Sequence, residues 1–460
     1  MKPSPTRRAH HSDLGADFDE DERRPIPSRR RSSTPSPAVY RRPLPTDYLD
    51  LDAVKALRRL SRQGYTAYLV GGGVRDLLLG RRPKDFDIAT DARPPEVRRI
   101  FRNSRVIGRR FRLVHILYPG GKIIECATFR RDPESGFEIL PFEEAKGEDN
   151  ISRGAVRLAP LRSEHDEEDD LLIRHDNHFG LPHEDAIRRD FTINGLFYNL
   201  ERGEVIDYVG GMPDLERGVV RTIGDPGVRF REDPVRILRA IKFSARLDMG
   251  IDRAVCKAMI EHRGELHKAA KPRVLEEILR LLRGGAAHRS IFLTLDLGVL
   301  EEILPALAES LESSRELAEY VFGMLSIIDE LAAGDELPSD AVLLAALFSG
   351  AYQLELESGE LSPADAINEA LSEATERLVL PRRLRDRIST IVLVQRRLRA
   401  GKISNLAHRE FFPEAAALYR ISREARGESI PEWAVDLPIP RESPDDGAPR
   451  RRRRRRRPRD

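Results

Sequence analysis

Cysteine is nearly missing from this 460-residue chain: only Cys126 and Cys256 occur, far apart and outside any C-x-x-C spacing. That scarcity argues against a disulfide scaffold and a zinc site, and the expected compartment is a reducing cytoplasm. Long apolar runs are also lacking. None reaches the roughly 20 residues that a membrane-spanning helix needs, and the N-terminus, Met1-Lys2-Pro3-Ser4-Pro5, has no apolar stretch of signal-peptide type. A soluble intracellular protein without a membrane partner is expected. No repeat of fixed period is present, which sets aside solenoid architectures.

Charge, by contrast, is abundant and segregated. Lys and Arg total 78 against 76 Asp and Glu, so the net charge of +2 conceals local runs of one sign. Residues 1–46 are rich in Pro, Arg, Ser and Asp with almost no aliphatic side chains, and are expected to form a disordered tail. Residues 438–460 read the same way and carry the unbroken run Arg450 to Arg457. By charge alone such a run is either a sequence-blind phosphate binder or a solvated tail.

Between the tails the hydrophobic period changes. Over 47–210, short apolar runs alternate with turns and helices: Tyr68-Leu69-Val70, Phe86-Asp87-Ile88, Leu113 to Leu117 and Ile123 to Thr128 read as strands, and Pro95 to Phe101 as a helix. Residues 131–176 carry few such cues and include an acidic patch, Ser163 to Asp170, expected to be a mobile surface loop. From about Asp233 the period becomes helical, with Leu238, Ile241 and Ala245, then Val274, Leu275, Ile278, Leu279 and Leu282 before Gly284-Gly285. Residues 211–285 are assigned to a helical neck and 286–437 to a helical body. The fold class is α+β, a head with a small mixed sheet followed by all-α segments.

The strongest chemical signal is Leu69-Val70-Gly71-Gly72-Gly73-Val74-Arg75-Asp76, followed by Lys84-Asp85-Phe86-Asp87-Ile88. Strand residues two apart share a face, so Asp85 and Asp87 project together while Phe86 and Ile88 pack behind them. Two such carboxylates repel, and a divalent cation removes that repulsion. All-oxygen ligands without His or Cys suit Mg²⁺. The glycines allow a sharp turn, and backbone N–H groups opening the short helix Val74 to Leu79 could hold a triphosphate, with Arg75 adding charge. No G-K-[ST] follows, so this is not a P-loop. A lone D-x-D in a surface turn arises by chance; strand, turn and acids together favour an active site. Glu125, in the apolar run Ile123 to Ala127, is a candidate third acid, or else an outward-facing residue of an edge strand.

Two further blocks carry polar groups at helical spacing. In Glu184-Asp185-Ala186-Ile187-Arg188-Arg189-Asp190-Phe191-Thr192-Ile193-Asn194-Gly195, the guanidinium groups of Arg188 and Arg189 could contact phosphates, and Asp190 and Asn194 a ribose. Taken alone, the block also reads as a salt-bridged surface helix, with Glu184 against Arg188. In Arg231-Glu232-Asp233-Pro234-Val235-Arg236-Ile237-Leu238-Arg239, Asp233 and Pro234 read as N-cap and first residue of a helix. Glu232, Arg236 and Arg239 share a face that could offer acceptors and donors to a nucleobase edge.

Together and in this order, the three blocks resemble the class II branch of the nucleotidyltransferase superfamily, which comprises bacterial poly(A) polymerases and CCA-adding tRNA nucleotidyltransferases. The resemblance covers about 48–300 and, more loosely, the helical remainder. It implies a palm-like nucleotidyltransferase head and catalysis and Mg²⁺ binding by Asp85 and Asp87. It further implies triphosphate and ribose contacts from Gly71, Gly72, Arg75 and Asp76 and from Arg188, Arg189, Asp190 and Asn194. Base selection falls to Asp233 and Arg236, with Arg239 beside them. Gly195 departs from the small Ala or Ser usual there, and the acidic stretch lengthens the spacing between Glu125 and Arg188. The segment Val106 to Ile116 and the basic C-terminal run resemble the poly(A) polymerase side. The implied activity is untemplated addition of AMP from ATP to RNA 3′ ends, with RNA-degradation machinery or an RNA chaperone as reasonable partners. The alternatives are a tRNA nucleotidyltransferase adding CCA, or only C or A; an inactive RNA-binding relative; and an enzyme modifying a small molecule.

Overall fold

The computed structural model describes residues 36–108, 112–131, 137–139, 158–160, 178–435, 437 and 439. The acidic patch Ser163 to Asp170, the residues Arg109 to Phe111, the N-terminal 1–35 and the run Arg450 to Arg457 lie outside the described residues.

Strand β1 (Ala38–Arg41) forms one edge of an eight-stranded mixed sheet, followed in space by the strands Glu204–Asp207 and Leu196–Asn199. Next come β2 (Ala67–Val70), β3 (Asp87–Thr90), β6 (Ile123–Thr128), β5 (Leu113–Leu117) and β4 (Ser104–Ile107). Only β3 and β6 run parallel, and their register sets Asp87 beside Glu125. The other pairings are antiparallel, including β2 with β3, where Val70 faces Asp87. The acid-bearing strand is therefore interior, hydrogen-bonded on both sides.

One expectation needs correction. The tail assigned to 1–46 ends too late, because Ala38–Arg41 pairs with Glu204–Asp207. Four residues without an aliphatic cluster carry little strand signal, and their partner lies far along the chain. In the cue-poor stretch 131–176, Phe137–Ile139 pairs with Leu158–Pro160, and at its borders Arg130–Arg131 pairs with His178–Phe179.

Helix α1 (Leu51–Arg62) starts where the Asp50 carboxylate accepts from the backbone N–H of Asp52 and Ala53, and buries Ala53, Ala56, Leu57 and Leu60 against the sheet. The short helix α2 (Gly72–Leu78) leads off β2, and α3 (Pro94–Ile100) follows β3. Helices α4 (Pro182–Ile187) and α5 (Gly211–Arg217) flank the sheet's last two strands in the chain. Then come α6 (Pro226–Glu232), α7 (Arg236–Leu247), α8 (Arg253–His262) and α9 (Lys271–Leu282). Among the described residues beyond Ile251 every regular element is helical, as the change of period implied; before it, Val219–Val220 still pairs with Gly250–Ile251.

One apolar core runs from the head into the helical remainder, joining Leu60 and Ile88 to Ile237, Ile278 and Leu343. A smaller cluster with Val70, Phe129 and Phe197 fills the other face of the sheet. The cleft thus lies between parts that share a core. Among the described residues no helix is long and apolar enough to cross a membrane.

Candidate active site

A cleft of about 900 Å³ opens between the sheet's central strands and the faces of α7 and α9. Asp85 and Asp87 both line it, while Phe86 and Ile88 are buried in the core, the alternation that strand geometry demands. The glycine turn is tied to them. Gly71 has φ of 72° and ψ of −140°, and a side chain there would sit 3.1 Å from Arg189 Nη1 and 3.9 Å from Asp87 Oδ2. At Gly73 a Cβ would press on the Asp85 carbonyl at 3.2 Å. One glycine supplies the conformation and the other the close approach.

Burial raises the Asp87 carboxyl to about 6; the charges of Glu125 and Asp85 push the same way, and Arg189 opposes them. A carboxylate so disfavoured in its ionised form gains from a cation. Among the described residues no three His, Cys, Asp or Glu side chains cluster to hold a metal by themselves. Two carboxylates lining an open cleft instead fit a hard divalent ion that completes its shell with substrate oxygens and water. Glu125 adjoins Asp87 in register but does not line the cleft; its carboxylate is half exposed, 3.2 Å from His115 Nε2.

The second block divides: residues 184–187 end α4, where Asp185 and Ala186 are buried. Thr192–Asn194 is a single 3₁₀ turn, and its polar groups join a buried network. Arg75 donates from Nε and Nη2 to Asp76 Oδ1 (2.9 and 2.6 Å) and from Nη1 to Asn194 Oδ1 (2.5 Å). Asn194 Nδ2 donates to Asp190 Oδ1 at 3.0 Å, and Asp190 Oδ2 accepts from Arg239 Nε and Nη2 at 2.8 and 2.5 Å. Arg246 closes the chain on Asp76 Oδ2 at 3.2 Å. Burial would raise the Asp190 carboxyl, but the Arg239 charge and the bonds from Asn194, Arg239 and the Phe191 N–H hold it far below the usual carboxylate range.

Arg189 lines the cleft and is oriented by Asp185 Oδ2 at 2.9 Å; Arg188 binds the other Asp185 oxygen at 2.9 Å and does not line the cleft. Gly195 follows this turn, where a Cβ would lie 2.5 Å from Val209 Cγ2, so the departure noted in the sequence is a packing requirement.

The third block corrects the expected cap. Helix α7 begins at Arg236, and Asp233 closes α6 instead. The Asp233 carbonyl accepts from the Arg236 N–H at 3.0 Å, while its side chain turns toward α9, where Oδ2 accepts from Arg273 Nη2 at 2.9 Å. Asp233 Oδ1 is buried without a partner among the described residues. Arg236 spends Nη1 on the Arg229 carbonyl and on Glu232 Oε2, both at 2.9 Å; among the described residues no protein group accepts from its Nη2. An acceptor and a donor thus flank the cleft wall.

Comparison with known proteins identifies the lineage. Residues 67–221 match the poly A polymerase head domain, and 248–311 match the family described as probable RNA and SrmB-binding site of polymerase A. Poly(A) polymerase I of Salmonella typhimurium is 38% identical over 364 residues, covering 76% of this chain and 73% of that protein. The chain belongs to the bacterial poly(A) polymerase family. Poly(A) polymerase I of Escherichia coli O6:H1 is 37% identical over 402 residues, 83% of this chain and 81% of that one. The kinship of poly(A) polymerases with CCA-adding enzymes is visible too: that of Bacillus licheniformis is 33% identical over 255 residues, 55% of this chain and 56% of its own. A tRNA nucleotidyltransferase solved with a primer tRNA and an incoming ATP analogue shares the fold, with a TM-score of 0.52 at 24% identity over 81% of this chain and 96% of that one.

Within this poly(A) polymerase framework, the cleft also takes Lys242, Phe243 and Arg246 from α7, and Arg273, Glu276, Glu277, Arg280 and Arg283 from α9, none of which the motifs flagged. The signal was available. On α9 these charges recur every three or four residues, opposite the apolar stripe Val274, Leu275, Ile278, Leu279 and Leu282. Glu277 ties the two helices, accepting from Lys242 Nζ at 2.8 Å and Arg280 Nη1 at 2.7 Å. Burial and the Arg239 charge lower Lys242 to about 8, against the pull of Glu277.

Proposed function

We propose that this protein is a polynucleotide adenylyltransferase, transferring AMP from ATP to RNA 3′ ends without a template. The observation that carries the reading is the meeting of Asp85 and Asp87 with the glycine turn on one side of a cleft whose far wall presents Asp233 and Arg236. Asp85 and Asp87 are the metal-holding residues, and Glu125, beside Asp87, is a candidate third acid. Mg²⁺ bound there would supply Lewis-acid activation of the attacking 3′ hydroxyl and charge relief for the departing pyrophosphate. Gly71, Gly72 and Arg189 accommodate the triphosphate, the glycines by leaving room and Arg189 by charge. Arg75, Asp76, Asp190 and Asn194 form a rigid floor whose bonds already point into one another, so they hold the nucleotide's sugar end by shape and by the few donors left over. Arg239 braces that floor, and Arg188 steadies Asp185 behind it.

Selection follows from complementary edges. Adenine and cytosine each present an amino donor beside a ring-nitrogen acceptor, which suits one carboxylate and one guanidinium; guanine and uracil present a carbonyl where the amine should be. The Asp233–Arg236 pair admits A and C alike, and that shared edge keeps CCA addition to tRNA as the second reading. RNA 3′ ends are the acceptor, the cytoplasm the compartment, and a component of the RNA-degradation machinery or an RNA chaperone a fitting partner for the segment matching 248–311.

The test supplies purified protein and Mg²⁺ with each nucleotide separately, on a tRNA lacking its terminal CCA and on an unrelated RNA. Long adenylate tails on both RNAs support the proposal. One to three residues added to tRNA alone establish the second reading, and no addition to either refutes both.

A further inference from the structure

The carboxylate of Asp233 is held asymmetrically. Arg273, reaching across from α9, donates Nη2 to Oδ2 at 2.9 Å, and Oδ1 is left buried with no partner among the described residues. A buried acceptor without a donor is costly, so this arrangement needs a reason. Among the described residues nothing else bonds the side chain: the backbone of Asp233 is set by the turn to Arg236, and Asp233 lies between two helices rather than inside either one. Without Arg273, the carboxylate could rotate and offer either oxygen, or both, to a ligand.

We propose that Arg273 is a positioning residue for base selection: it occupies one oxygen of Asp233 and fixes the plane in which the other accepts a nucleobase amine. The inference rests on the reading of Asp233 as a base-contacting residue and deepens it. A carboxylate locked by one guanidinium offers a single acceptor at a fixed distance from Arg236, matching one amino group beside one ring nitrogen. A freely turning carboxylate can also accept from the ring N–H of guanine or uracil, both of which the fixed pair rejects. Arg273 is half exposed at the rim of the cleft, and its partner is the one carboxylate of the third block that neither Arg229 nor Arg236 engages. Its position on α9 also makes the reading of the base depend on the spacing between α7 and α9, which the Lys242–Glu277 bond spans.

The experiment measures kcat/KM for ATP and for GTP with one RNA primer, in the full chain and in Arg273→Gln, Arg273→Lys and Asp233→Asn. Melting curves establish that each variant is folded. Loss of a charge-assisted bond corresponds to a fall of about tenfold or more in the ATP-to-GTP preference of Arg273→Gln, with KM for the RNA primer unchanged. Arg273→Lys, which keeps the charge without the planar fork, should recover part of the preference. A uniform loss with the preference intact would mark Arg273 as a strut and overturn the proposal. An unchanged preference in Arg273→Gln alongside a collapsed one in Asp233→Asn overturns it as well. An unchanged preference in both variants instead removes the assignment of Asp233 itself. Should Arg273→Gln fail to fold, the comparison of Arg273→Lys with the full chain decides the matter by the same ratio.

Discussion

Replacing Arg239 with leucine should expose how strongly the cleft floor depends on a single buried pair. Arg239 binds Asp190 Oδ2 through two nitrogens, at 2.8 and 2.5 Å, and the Asp190 side chain is only 10% exposed. Removing the guanidinium leaves a buried carboxylate with only the Asn194 amide and the Phe191 N–H as donors, a loss of about 3–5 kcal/mol for a broken buried pair. The pH dependence gives a second handle. Asp190 is held below its ordinary value, so its contribution is fully present above the unfolded carboxylate range near 4 and is lost only in stronger acid. In Arg239→Leu the same carboxyl loses the charge that lowers it, protonates more readily, and sheds its penalty as the pH falls. The gap between the two proteins should therefore be widest at neutral pH and close in acid. Urea denaturation at pH 7 and at pH 4 measures both quantities, and Asp190→Asn added to Arg239→Leu should restore a large part of the lost stability. A deficit below about 1 kcal/mol at pH 7, or one that does not change with pH, would refute the assignment of the pair as the brace of this floor.

Other outcomes follow from the same geometry. Asp87→Ala should abolish nucleotide addition while RNA binding, read by filter retention, stays within about twofold; retained addition in that variant would remove the metal-holding role. Gly195→Ala, which forces a Cβ to 2.5 Å from Val209, should cost about 1–3 kcal/mol in denaturant, and Val209→Ala in the same chain should recover part of it. Lys242, lowered to about 8, binds its proton more weakly folded than unfolded, so stability should rise between about pH 8 and the ordinary lysine value near 10. Lys242→Met should flatten that rise, and an unchanged slope would contradict the burial of the ammonium.

The architecture was legible wherever one segment carried its own period. Leu113–Leu117 and Ile123–Thr128 emerge with the expected boundaries, and the apolar stripe from Val274 to Leu282 forms α9. What escaped was decided by distant partners. Ala38–Arg41 is a strand only because Glu204–Asp207 runs beside it, and Ser104–Ile107, not among the strands read from the sequence, is the other edge, three of its four residues exposed. The glycine turn and its two acids were readable because their chemistry is local. Asp233 was misread as a helix cap because Asp-Pro is a sound local signal; Arg273, 40 residues on, draws its side chain away. The α9 charges looked like an ordinary solvated face, and only the cleft distinguishes them from one.

The cleft draws its two walls from separate stretches of chain, with the acids and glycine turn before residue 90 and Asp233 and Arg236 after residue 230. With the roles proposed for these residues, reaction and alphabet are written on different pieces of one molecule. On that proposal, changes along α7 and α9 alter which letter is accepted while the half with the acids stays as it is, and a head cut away at residue 221 keeps Asp85 and Asp87 but loses Asp233 and Arg236.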